Sequence, residues 1–441
     1  MSLKPVTVLL ALIVLLAGCS TGGSGADRDS AECAPYRKWA VDGTASVSIY
    51  SSIRDIEADR LDQSWARFED CTGIDIQHEG TAEFEAQINV RVSGGNAPDL
   101  AIFPQPGLLA QFARAGKLKQ PSAAVKQNAT RYFSPDWVNY GSVDGTFYAA
   151  PADASVKSFV WYSPGTFKRN GWTVPTTWAQ LIALSDKIAA SGVKPWCAGV
   201  ESGEATGWAG TDWLEDVLLR TAGPRTYDQW VNHGIRFDSP AVVAGLDRVG
   251  TILKNPRYVN GGYGDVRSIL STSWQEGGLP ILKDKCALHR AASFYAAQWP
   301  TGTKVGPNGD VYAFYLPPID PASGKPVLGA GGFVGAFANR PEVRAVQEYL
   351  STAEWVNSRA SRGDGGWISA SKGLDVGNLK SPVDRLSYQI LQDPKAVFRF
   401  DGSDLMPGSV GAGSFWKAIV AWLNGRSSKA ALTPVEQSWP K

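Results

Sequence analysis

Val47-Ser48-Ile49-Tyr50, Ile74-Asp75-Ile76 and Asp99-Leu100-Ala101-Ile102-Phe103 are three short apolar runs set between two amphipathic stretches. Short runs rich in β-branched and aromatic residues, each ending in polar or turn residues, read as strands. Between the first two, Leu61, Trp65 and Phe68 fall on one face at helical spacing, and Gly73 closes a helix predicted over Leu61 to Cys71. Phe84 to Val92 is a second predicted helix ending at Gly94-Gly95, and Leu108 to Leu118 a third. Strand alternating with helix predicts a parallel sheet covered by helices, so the class is α/β.

Downstream, Tyr148 to Ala154 is rich in Ala, Pro and Asp, and a second alternating series begins at a strand predicted over Ser158 to Tyr162. Helices are predicted at Thr177 to Ala190, Trp213 to Arg220 and Pro240 to Leu253, and strands at Cys286 to Leu288 and Val311 to Leu316. Pro317-Pro318 breaks the chain before an apolar strand at Gly332 to Phe337. One helix is predicted from Glu342 to Ser358 with Val343, Val346, Tyr349 and Leu350 inward, then helices at Pro382 to Leu391 and Ser414 to Leu423. About 400 residues exceed what one core usually serves, which predicts two domains.

The amino terminus carries an address. Lys4 is the only charge before an apolar run from Val6 to Ala17 that stops at Leu16-Ala17-Gly18-Cys19. A basic start and a run short of the ~20 apolar residues of a membrane span predict a secretory signal over residues 1–18. Leu-Ala-Gly-Cys resembles the bacterial lipobox, which implies a lipid on Cys19. The segment after it is rich in Gly, Ser and Asp, so residues 19–40 are expected to be the lipidated cysteine and a flexible tether. The expected location is the extracytoplasmic face of a bacterial cell membrane.

Cysteine usage agrees with export. Apart from Cys19 there are four, Cys33, Cys71, Cys197 and Cys286, and an even number in an oxidising compartment predicts two disulfides. Of the three possible pairings, Cys33–Cys71 and Cys197–Cys286 are favoured because each then lies within one predicted lobe.

Composition narrows the function. Lys plus Arg is 43 and Asp plus Glu 42, a balance that argues against nucleic acid and against a polybasic membrane patch. The three histidines are scattered, and the phosphate-loop, dinucleotide and nucleophile-elbow motifs are absent, which weakens an enzymatic reading. No metal and no cofactor are expected. What stands out is 17 Trp, 14 Tyr and 16 Phe in a chain only 19% charged. Three clusters mix rings with polar groups: Gly207 to Asp216, Trp274 to Gly278 with His289 to Phe294, and Phe400 to Pro407 with Phe415-Trp416. A sugar has apolar C–H faces that stack on rings and an equator of hydroxyls that pairs with carboxylates, Arg and Gln. Each residue also has a plainer reading. Asp212 could cap a helix starting at Trp213, Trp213 and Trp416 could be core, and Arg290 could pair with a surface carboxylate.

Phe68 to Ile74, Pro98 to Gly107, Gly207 to Asp216, Cys286 to Phe294 and Arg399 to Trp416 together resemble the extracellular solute-binding proteins of bacterial ABC sugar importers, most closely those for α-glucosides of the maltose and trehalose type. The resemblance implies a two-lobed periplasmic-binding-protein-like fold of type II with a hinge between the lobes. Lobe 1 would comprise 41–152 plus 319–372 and lobe 2 153–318 plus 373–441. The chain would cross between lobes near Ala149 to Asp153, Pro317 to Asp320 and Gly373. It also implies a monomer without catalytic activity that hands an α-linked disaccharide or short α-glucoside to a permease. The implied ligand contacts are Tyr50, Ser52, Arg54, Glu83, Gln105, Asp153, Trp208, Asp212, Trp213, Trp274, Arg290, Phe294, Gly332, Asp404 and Trp416. A lipid-anchored glycoside hydrolase and a binder of another polar solute, such as a glycerophosphodiester, are the alternatives.

Overall fold

A computed structural model of the chain describes residues 28–259, 265–320, 324–363 and 365–440. Cys19 and the signal run lie outside the described residues. Lobe 1 is built on a five-stranded sheet in the order Ile74–Gly80, Ala45–Ser51, Leu100–Phe103, Phe333–Ala336, Ala149–Pro151. The first three strands are parallel, and the returning strand Phe333–Ala336 runs antiparallel to both its neighbours. All four residues of Leu100–Phe103 are buried, as expected for a central strand covered on both faces. The helix Asp55–Thr72 buries Leu61, Trp65, Phe68 and Cys71 and ends on Gly73, whose φ of 76° is the left-handed C-terminal cap.

Lobe 2 has a four-stranded sheet in the order Tyr312–Tyr315, Phe159–Tyr162, Cys286–Arg290, Lys194–Cys197. Helices Trp178–Ala190 and Pro240–Leu253, and the helical span Trp208–Val231, which is broken into two at Gly223-Pro224, pack a separate apolar core. A small sheet of Ala396–Phe400, Lys325–Ala330 and Ser155–Val156 forms where the chain passes between the lobes. Disulfides join Cys33 to Cys71 and Cys197 to Cys286, one in each lobe.

Several expectations are corrected. Residues 31–39, expected within the tether, form a 3-10 helix that buries Cys33, Tyr36 and Trp39 against lobe 1. The ring of Tyr36 lies 6.2 Å from Phe68 and 5.9 Å from Tyr349, apolar area the Gly/Ser-rich reading overlooked. The predicted helix Glu342 to Ser358 is two, Pro341–Tyr349 and Ala353–Ala360, because the Thr352 side chain accepts the Trp355 N–H and starts a new helix. Leu316 and Leu328 pack in the core beneath the four-stranded sheet. Leu374 and Leu379 pack in the core of the five-stranded sheet, and Val383 packs in a cluster with Phe159 and Trp161.

Candidate binding cleft

Three chain segments meet at Ala152–Ala154. The Ala152 N–H donates to the Gly332 carbonyl at 2.8 Å, and the Ala154 N–H to the Ile368 carbonyl at 2.9 Å. Between them the Gly332 N–H donates to Asp153 Oδ1 at 2.9 Å. This knot is the floor of an interlobe cavity of about 240 Å³. Lobe 1 lines it with Ser52, Ile53 and Glu57 at the start of its first helix, and with Trp355, Arg359 and Trp367. Lobe 2 contributes Trp208, Trp274 and Phe294.

The lobe 2 rings brace one another. Trp208 and Trp274 are 5.3 Å apart at 67°, and Trp274 and Phe294 5.7 Å apart at 89°. Edge-to-face packing fixes the rings and leaves their faces apolar. The opposite wall is polar and charged. Arg359 is buried; among the described residues its Nε has no hydrogen-bond partner, and its Nη1 makes a 3.4 Å contact to the Arg362 carbonyl. Burial lowers its pKa to about 10, with Glu57 opposing. Burial pushes the Glu57 carboxyl up to about 7 against the pull of Arg359. The Asp153 carboxyl is likewise raised by burial, with the Gly332 N–H and Arg359 opposing. Apolar faces on one wall, and a guanidinium with an unpartnered Nε beside the Glu57 and Asp153 carboxyls on the other, suit a ligand with C–H faces and hydroxyls.

A buried ionic cluster lies behind the rings. Lys157 Nζ contacts Asp212 Oδ1 at 2.9 Å and also pairs with Asp401. Arg290 reaches Asp212 at 3.3 Å and Asp216 at 3.0 Å, and Arg220 pairs with Asp216. Burial works against the Lys157 ammonium, yet Asp212 and Asp401 hold its pKa well above the usual lysine value. Burial would raise Asp401, but Lys157 and Ser403 bring it down to about 2. Asp212, Glu215 and Asp401 converge closely enough to hold a cation, and the Lys157 ammonium supplies that charge. Lys157 Nζ also sits 5.4 Å from the Trp208 ring, so the cluster supports the aromatic wall from behind.

Of the expected contacts, the structure brings Ser52, Asp153, Trp208, Trp274, Phe294 and Gly332 to the cavity. Asp212, Trp213 and Arg290 line a smaller pocket that shares Trp208 and Trp274 with this one, and the rest lie elsewhere. Tyr50 is core beneath Arg91, its hydroxyl bonded to Gln87. Arg54 and Glu83 precede the helices Asp55–Thr72 and Phe84–Ser93, and Gln105 donates to Glu85 at 2.7 Å. Asp212 and Arg290 are spent on each other and on the ionic cluster. The helix starts at Trp208, so Asp212 lies inside it and is not its cap. Trp213 packs on Trp196 at 5.2 Å, and Asp404 and Trp416 are buried off the cavity. Glu57, Trp355, Arg359 and Trp367 were not anticipated. Gly365-Gly366-Trp367, a ring after a glycine pair, was the available signal for the last.

A Ser–His–Asp chain also exists. Ser51 Oγ lies 2.7 Å from His78 Nε2, and His78 Nδ1 lies 3.5 Å from Asp62. Ser51 is fully buried and its Oγ accepts the Ile53 N–H at 3.0 Å, so the chain holds the turn that carries Ser52 and Ile53 into the cleft. It presents no exposed nucleophile.

Known proteins fit this picture. The chain is 37% identical over 439 residues to the osmoprotective compounds-binding protein GgtB of Synechocystis sp., covering 99% of each. It is 36% identical to the alpha-glucosides-binding periplasmic protein AglE of Rhizobium meliloti, covering 89% of this chain and 87% of that one. Among solved structures, a chitin oligosaccharide binding protein superposes with a TM-score of 0.75 at 18% identity, over 89% of this chain and 98% of the other. The bacterial solute receptor AcbH gives a TM-score of 0.74 at 19% identity, over 90% and 97%. These likenesses are to two-lobed solute receptors rather than enzymes, which is the fold expected from the sequence. Residues 55–356 match the family model for the bacterial extracellular solute-binding protein, and the chain belongs to that family.

Proposed function

We propose that this protein is the receptor of an ATP-driven sugar importer, which captures an α-linked disaccharide or short α-glucoside between its lobes and delivers it to a membrane permease. The observation that carries this is the cavity itself, with Trp208, Trp274 and Phe294 facing Glu57, Asp153 and Arg359. The rings offer stacking surfaces for sugar C–H faces, and the opposite wall offers donors and acceptors to hydroxyls. The names of the two relatives, one for alpha-glucosides and one for osmoprotective compounds, support a small hydroxylated solute. Closure would be a hinge motion about the crossings at Ala152–Ala154 and Gly331-Gly332. The receptor works as a monomer on the extracytoplasmic side. Among the described residues no helix is long and apolar enough to cross a membrane, and a lipid on Cys19 is the proposed anchor.

A thermal-shift panel tests the reading. A ligand at a hundred times its Kd adds about 2.7 kcal/mol to the folded state, or about 3 °C for a chain of this size. Trehalose or maltose should raise the melting temperature, and glycerophosphodiesters and short peptides should leave it unchanged. The reverse pattern would replace the sugar with another polar solute.

A further inference from the structure

Eight residues, 20–27, separate Cys19 from Arg28, and at Arg28 the chain is already pinned to lobe 1. Arg28 Nη1 donates to the Val41 carbonyl at 3.4 Å and to the Gly43 carbonyl at 3.3 Å. The same guanidinium lies over Gly73, where an added Cβ would come within 2.4 Å of it. Gly73 is the left-handed cap between helix Asp55–Thr72 and strand Ile74–Gly80, so this corner belongs to the lobe 1 sheet. Further on, Cys33 is bridged to Cys71 in the last turn of that helix. Trp39 then packs 5.7 Å from Phe68 and 5.8 Å from Tyr349, and Lys38 pairs with Glu348 at 2.8 Å. Each of these partners belongs to lobe 1. Charge is not what draws the segment to a membrane: between residues 28 and 43, Arg28, Arg37 and Lys38 are balanced by Asp29, Glu32 and Asp42.

We infer that residues 28–40 are an anchor strap, which ties a lipid on Cys19 to lobe 1 alone and holds the Arg28–Gly73 corner of that lobe at the bilayer surface. This rests on the proposal that Cys19 carries lipid. A trans chain spans at most about 3.6 Å per residue, so the steps from Cys19 to Arg28 let that corner stand no more than about 32 Å from the lipid, where a free tether to Val41 would allow about 80 Å. The Cys33–Cys71 bridge makes the tie covalent, since a pull on Cys19 reaches the fold at Cys71. The effective concentration of a tethered body at a membrane partner falls roughly as the −3/2 power of tether length, so the docked strap concentrates this receptor about fourfold over a free one.

Energy transfer to an acceptor dye on the lipid headgroups tests this, with the lipidated full chain in vesicles of neutral lipid. The donor dye sits on Asp75→Cys, two residues beyond Gly73 in lobe 1, or on Lys283→Cys in lobe 2; both positions are exposed. A Gly/Ser insertion after Gly25 that brings the tether to its free length leaves the strap itself untouched. Transfer from the Asp75 site should exceed transfer from the Lys283 site, and the insertion should lower the first and shrink the difference. Equal transfer from the two sites without the insertion overturns the strap. A difference that survives the insertion overturns it as well, because something other than a short tether would then hold the corner down. Retention of Cys19→Ala on the vesicles overturns the lipid anchor, and this inference with it. Sugar titration of that same Cys19→Ala protein tests the cleft independently, so the strap and the sugar reading fail separately.

Discussion

Replacing Lys157 with Met keeps the apolar stem and removes the charge at the centre of the lobe 2 ionic cluster. The structure says what is left behind. Asp212 keeps only Arg290 at 3.3 Å, and Asp401 keeps Ser403 Oγ at 2.7 Å and the Asp404 N–H at 3.0 Å. Both carboxylates are buried, so the variant leaves Asp401 as a charge without a counterion. Removing one partner of a buried pair costs about 3–5 kcal/mol. With an unfolding entropy of about 2.1 cal/mol/K per residue over roughly 400 residues, that is a fall of about 4–6 °C in melting temperature at pH 7. The pH dependence has a definite sign. In the wild type Asp401 titrates at about 2, below its unfolded value, so its contribution persists above pH 4 and is lost only as pH falls towards 2. Without Lys157, burial is opposed only by the Ser403 hydroxyl and the Asp404 N–H, and Asp401 takes up a proton at a higher pH. The deficit of Lys157→Met should therefore be largest at pH 7–8 and shrink on acidification towards pH 5. Scanning calorimetry of both proteins across that range measures it. A deficit below 1 °C at pH 7, or one that grows on acidification, would show that Lys157 does not neutralise the cluster.

Three further outcomes follow from the same structure. Glu57 titrates at about 7 in the folded chain, above its ordinary 4.5, so its ionisation makes folding less favourable as pH rises between those values; Glu57→Gln should gain stability relative to wild type from pH 5 to 8, by up to about 3 kcal/mol, read as a rising difference in melting temperature, and a flat difference refutes the assignment. Loss of the Cys33–Cys71 bridge in Cys33→Ser/Cys71→Ser should cost about 2–5 kcal/mol and expose Trp39 to quenchers, whereas unchanged quenching means the 3-10 helix stays docked without it. Cys19→Ala should move the protein from the membrane fraction to the soluble one without altering sugar affinity; continued membrane retention would reject the lipid anchor.

The α/β class was legible because strand–helix alternation between residues 47 and 118 depends on local periodicity, which a single chain records. The break at Thr352 was not, because it needs one side-chain bond inside an otherwise continuous apolar pattern. The cleft was partly legible. Trp208, Trp274, Phe294, Asp153 and Gly332 were anticipated and line the cavity; Asp153 and Gly332 sit between strands where the chain crosses, and Trp208 and Phe294 at the starts of helices. In sequence, a charge beside a ring is the same pattern whether its partner is a hydroxyl or another buried charge. The ion pairs of Asp212 with Lys157 and of Arg290 with Asp216 need the three-dimensional fold to be seen. Glu57 and Arg359 were missed for the converse reason. They are ordinary helix residues until residues 57 and 359, far apart in sequence, come to line one cavity.

The most direct measurement is calorimetric titration of trehalose and maltose into the wild-type protein and into Trp274→Ala. Saturable one-to-one binding of at least one sugar to the wild type, weakened about ten- to hundredfold in Trp274→Ala without loss of folding, is the expected result. Absence of binding by the wild type, or equal affinity in the two proteins, would contradict a sugar held against the aromatic wall of the cleft.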